Sequence, residues 1–149
     1  MKTWYLILGL SSILLAGCAS QQTLAESKAI PKGASHIVLI RTGSMAGAIW
    51  KPSVYDPGRV YDGEKLCSEP ERVRFPDGWL VGELGNGKRL TWNRLPGPMW
   101  LTLECGGFTS HRMIEEIVTE PGKEYTIEVG TFLRMRDNKP PKVTVRDLP

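Results

Sequence analysis

From Ser35 onward the chain is cut into short apolar runs by Pro-Gly, Asp-Gly and Asn-Gly turns, and no segment keeps the helical hydrophobic period for more than two turns. The turns fall at Pro57-Gly58, Asp62-Gly63, Asp77-Gly78, Asn86-Gly87, Pro96-Gly97 and Pro121-Gly122, with Gly106-Gly107 as a further break, and the apolar residues between them recur in strand-length groups. The expected fold is therefore all-β.

The runs themselves name the strands. Ser35 to Arg41, "SHIVLIR", is β-branched and apolar on both faces, as suits a central strand. Thr42 to Gly63 reads as a long loop containing short strands around Trp50 and Val60. "RVRF" leads into a Pro76-Asp77-Gly78 turn with positive φ at Gly78, and "WLVGEL" follows. Gly85-Asn86-Gly87 reads as a hairpin turn into "KRLTWNRL", whose Leu90, Trp92 and, out of phase, Leu95 face a core. "LPGP" at Leu95 to Pro98 reads as a turn, because neither proline can donate to a ladder. "MWLTLEC" alternates Met99, Leu101, Leu103 and Cys105 against Trp100, Thr102 and Glu104. "HRMIEEIVTE" also fits a helical turn, but a strand is favoured because "EPGKEYTIEV" looks like its hairpin partner, with Pro121-Gly122 at the tip. "KVTVRDL" supplies a last, edge strand.

Ahead of this domain, Lys2 and the apolar run "TWYLILGLSSILLA" have the form of a signal peptide, too short to span a bilayer as a helix. The run ends in Leu15-Ala16-Gly17-Cys18, which resembles a bacterial lipobox. That resemblance implies a diacylglyceryl group on Cys18, cleavage after residue 17, and Cys18 as the first mature residue. An uncleaved hydrophobic helix with an incidental cysteine fits less well, because Gly17-Cys18 directly follows the apolar run and a polar segment comes next. Each buried methylene contributes about 0.8 kcal/mol, so two or three acyl chains would hold the protein on the membrane. Ala19 and Ser20, with no Asp after the cysteine, imply sorting to the outer membrane in a diderm host. Residues 18–34 are then a lipid-anchored flexible tether, too polar to order themselves, and 35–149 one domain.

Cleavage would leave 132 residues with 18 basic and 16 acidic side chains. So even a balance speaks against a nucleic-acid binder, whose affinity rests on clustered Lys and Arg. The densest basic group, Arg134 to Lys142, is interrupted by Asp137 and turn-forming residues and reads as a solvated loop. Cys67 and Cys105 form one possible disulfide in an exported protein, worth about 4 kcal/mol in the chain-entropy model. Two separate buried thiols are the alternative.

Motifs that could carry chemistry are incomplete. Gly82, Gly87 and Lys88 have the spacing of a phosphate-binding loop, yet Arg89 replaces the Ser or Thr that would hold magnesium. The residues that follow alternate by twos where a helix is needed, so no nucleotide is expected. "TGSMAG" lacks the spacing of a nucleophile elbow, since Gly43 adjoins Ser44. His36 lies in an apolar strand and reads as structural. Cys67, Cys105 and His111 lack the spacing of a zinc site, and no metal or other cofactor is expected. Trp50, Trp79, Trp92 and Trp100 read first as packing residues. Trp100 is the best candidate for a surface aromatic, because it falls on the strand face opposite Leu101 and Leu103.

The run "VRFPDGWLVGELGNGKRLTWNRLPGPMWLTLE" resembles small bacterial lipoproteins with a β-sandwich domain of unknown function and the related PEGA-type envelope modules. The shared features are the Asp77-Gly78 turn, the Val81 to Leu84 strand, the Asn86-Gly87 turn and the Leu95 to Pro98 turn. "EPGKEYTIEV" at Glu120 to Val129 resembles their closing hairpin, and Ile37 to Arg41 their opening strand. "PKGA" at Pro31 to Ala34 lies too far upstream to be the PEGA tetrapeptide, and the Cys67 region looks like an insertion. The resemblance implies a single β-sandwich, prealbumin-like or PEGA-like, and brings no catalytic residues. The expectation is a non-enzymatic outer-membrane lipoprotein that faces the periplasm and contacts an envelope protein. The alternative is a glycan or small-ligand binder that uses exposed tryptophan.

Overall fold

Ser35–Arg41 forms β1 and sits between two neighbours, as its apolar faces require. The computed structural model describes residues 29–43, 51–68, 74–75, 78–105, 108–112, 116–130 and 141–149, with the backbone alone at 74–75, 105 and 108–112. The lipobox, Cys18, Trp50 and the basic loop through residue 140 lie outside the described residues.

The described residues contain no helix. Their strands after β1 are β2 (Ser53–Asp56), β3 (Tyr61–Asp62), β4 (Lys65–Leu66), β5 (Arg74–Phe75), β6 (Gly78–Glu83) and β7 (Arg89–Arg94). Then come β8 (Gly97–Met99), β9 (Thr102–Cys105), β10 (Phe108–Arg112), β11 (Ile117–Thr119), β12 (Lys123–Val129) and β13 (Lys142–Asp147). One sheet has the order β13-β12-β1-β7 and the other β10-β9-β2-β6-β5. Two ribbons, β11-β8 and β3-β4, complete an all-β architecture consistent with a β-sandwich.

Rows of apolar side chains across the four-stranded sheet explain its order. Ile37 lies opposite Trp92 on one side and Tyr125 on the other, and Leu39 lies between Leu90 and Ile127. The second sheet supplies Val54, Trp79, Val81 and Leu103 to the same buried cluster, which Leu84, Met99 and Leu101 extend. Full burial of one such aliphatic side chain stabilises by about 1.5–3 kcal/mol, so the facing sheets hold each other.

This order corrects two expected hairpins. β6 and β7 are not paired with each other: β6 lies in the five-stranded sheet and β7 in the four-stranded one, so the turn between them is a corner from sheet to sheet. Its geometry is still that of a tight turn, with Lys88 N donating to Gly85 O at 3.2 Å and Gly87 at φ +64°. β11 pairs with β8, and β12 with β1 and β13, so Pro121-Gly122 is a second corner. Hairpins close the shortest loops, but pairing β7 and β12 with β1 places aromatic and aliphatic residues beside Ile37 and Leu39. That lateral packing outweighs proximity in sequence.

Two further expectations change. Gly97-Pro98 is not part of a turn but begins β8, with Pro98 opposite Val118. A two-stranded ribbon leaves one side of each strand open, so a missing N–H is tolerated there. The run from Met99 to Cys105 is also broken, since Trp100 and Leu101 separate β8 from β9. Gly78 behaves as expected: its φ is +144°, and a Cβ there would stand 2.3 Å from the Asp56 carbonyl oxygen.

Candidate interaction surface

Charged residues in core phase make the first notable cluster. On the inward face of β7, Leu90 and Trp92 are followed by Arg94, and on β2, Val54 is followed by Asp56. Both charges are fully buried. Arg94 Nε lies 3.2 Å from Asp56 Oδ2, and Trp92 Nε1–H donates to the same oxygen at 2.8 Å. Gly58 N donates to Asp56 Oδ1 at 2.8 Å. The rest of the guanidinium reaches the Pro98 carbonyl at 2.8 Å and Thr119 Oγ1 at 3.3 Å, joining both sheets to the β8-β11 ribbon. Burial pushes the Asp56 carboxyl upward and Arg94 opposes that shift, while burial pushes Arg94 downward. With both ionic groups buried and hydrogen-bonded to strands of both sheets and the ribbon, the cluster is a structural knot.

A second buried polar device sits at the β11–β12 corner. Tyr125 Oη accepts from Glu120 N at 2.8 Å and donates to the Val118 carbonyl at 3.4 Å. A tyrosine that bonds back to the backbone upstream at a sheet-to-sheet crossing is the arrangement called a tyrosine corner in sandwich folds. On the second sheet, Tyr55 Oη donates to Glu104 Oε2 at 3.0 Å, and burial with this acidic partner raises its pKa to about 12.

The outward face of the four-stranded sheet is ordered in rows by the register, exposed at β13 and at Arg89 but buried at Glu124 and Asn93. One row reads Arg146, Glu124, His36, Asn93; the next Thr144, Thr126, Val38, Thr91; the third Lys142, Glu128, Ile40, Arg89. Arg146 clamps Glu124 with Nε at 2.7 Å and a terminal nitrogen at 2.9 Å, and this carboxylate raises the pKa of Arg146. His36 Nδ1 lies 2.7 Å from Asn93 Oδ1. Lys142 stands 3.6 Å from Glu128. The row ends at β13, exposed along all six residues and at the margin of its sheet.

The residues singled out in the sequence scatter. Cys67 is buried in the main cluster, but the side chain of Cys105 lies outside the described residues, as does that of His111. Trp79 and Trp92 are core residues, and Trp100 is half-buried against that core. Gly82 belongs to β6 and Gly87 to the corner, and β7 begins directly after Lys88, so the loop-like spacing forms no phosphate cradle. Sequence reasoning missed Asp56, Arg94 and Tyr125. The available signal was phase on β7, where Arg94 follows Leu90 and Trp92; β2 is buried at Val54, Tyr55 and Asp56 alike, so no alternation marked Asp56.

No family model matches the chain, and no curated protein matches it. Similar solved structures include a "putative cell adhesion protein" from Bacteroides uniformis, at 12% identity and TM-score 0.42, over 78% of this chain and 51% of that one. Another of the same description, from Bacteroides ovatus, shows 14% identity and TM-score 0.42 over 78% of this chain and 46% of that one. A third, from Bacteroides eggerthii, shows 16% identity and TM-score 0.32 over 77% and 56%. The chain thus spans about half the length of the structures it matches.

Proposed function

We propose that the protein is a lipid-anchored, non-enzymatic interaction module of the cell envelope, held through acylated Cys18 on the outer membrane and facing the periplasm. The lipobox-like Leu15-Ala16-Gly17-Cys18 supports the anchor. The observation that carries the interaction role is the contrast between the polar groups: Asp56 and Arg94 are sealed in a knot, while Arg146, Lys142 and Arg89 on the outward face of the four-stranded sheet are exposed, although Glu124 and Asn93 beside them are buried. An active site needs reactive groups that a substrate can reach, and the knot offers none. A docking face needs an ordered, accessible surface, which the sheet provides. Acyl labelling of the full chain in a diderm host tests the anchor. Label and outer-membrane fractionation should both be lost in Cys18→Ser; unchanged membrane retention of that variant contradicts the anchor.

A further inference from the structure

We propose that the free edge of β13 is a docking edge for an extended acidic segment of a partner protein, which adds to the four-stranded sheet as a fifth strand. This rests on the interaction role proposed above and gives the partner a chemistry. β13 pairs with β12 on one side and has no strand on its other side among the described residues. An open edge presents unpaired backbone donors and acceptors, which a second extended chain satisfies.

The side chains specify that chain. Val143 and Val145 lie in register with buried Ile127 and Tyr125, yet they are 36% and 50% exposed, so the inward face of the sheet runs past the covered core. Apolar residues opposite them would extend that face. On the outward face the charges alternate from strand to strand: Glu124 then Arg146, and Glu128 then Lys142. The Arg146 and Lys142 side chains remain 71% and 73% exposed, so the next strand outward is favoured when acidic opposite both. A second copy of β13 is the poorer occupant. Antiparallel self-pairing centred on Thr144 sets Lys142 of one copy opposite Arg146 of the other.

The probe is a soluble peptide containing Glu-Val-Thr-Val-Glu, with a Lys-Val-Thr-Val-Lys peptide as its control, titrated into the full chain in detergent micelles. Amide hydrogen exchange reads the edge. The acidic peptide should protect β13 amides and the basic one should not, and Lys142→Gln should weaken the acidic peptide about threefold while lowering thermal stability only slightly, since it removes an exposed ion pair with Glu128 without setting like charges opposite each other. No protection, or equal protection by both peptides, overturns the proposal. Protection of β13 in the protein alone that rises with its concentration also overturns it, in favour of self-pairing. Retention of Cys18→Ser on the membrane would instead sink the anchor and leave this result standing.

Discussion

At the residue scale the most consequential pair is Asp56 and Arg94, because a buried charge is tolerated only while its partner remains. Arg94→Met should destabilise the fold by about 3–5 kcal/mol, since the Asp56 carboxylate is left sealed without a countercharge. The pH dependence has a definite sign. Burial raises the Asp56 pKa, and removing Arg94 removes the charge that opposes the rise, so the folded variant holds a proton that the unfolded chain releases. Stability is then greatest below the unfolded carboxyl pKa and falls as pH rises through the folded one. Urea melts of Arg94→Met from acid to neutral pH should show this fall, and adding Asp56→Asn should flatten it. The alternation of β7 made the phase of Arg94 legible. Its partner was not, because pairing Arg94 with Asp56 depends on how two sheets are superposed, which no local pattern encodes.

Elements were legible where a strand carries its own alternation or punctuation. β1 matches its expected bounds, and β13 is the edge strand that its position suggested. Partner choice was less so. Both expected hairpins became corners, because the sequence shows a turn but not the apolar rows that β1 offers to β7 and β12. The β11–β12 corner is fixed by a tyrosine hydroxyl where a hairpin would have used ladder bonds. Tyr125→Phe leaves Glu120 N without this acceptor and should cost about 1–2 kcal/mol, measured by urea unfolding. A loss below a few tenths of a kcal/mol would show that the ring's packing alone holds the corner.

At the scale of the whole molecule, glycine and proline punctuation together with the lack of a sustained helical period pointed to an all-β fold, and the described residues contain no helix. The candidate surface was far less readable. Thr144, Thr126, Val38 and Thr91 lie far apart along the chain and become one row only through register. Tryptophan, the residue type that best signals ligand contact in a sequence, went largely to packing: Trp79 and Trp92 are buried and Trp100 leans on the core. A glycan-binding role therefore loses most of its described aromatic surface. The central claim is that an anchored sandwich works by touching an envelope protein, and in-cell crosslinking of the full chain tests it most directly, with mass spectrometry of the adducts. One specific protein adduct is expected, strong for the lipidated form and lost in Cys18→Ser. Muropeptide adducts without any protein adduct, or adducts that are indifferent to Cys18→Ser, would contradict it.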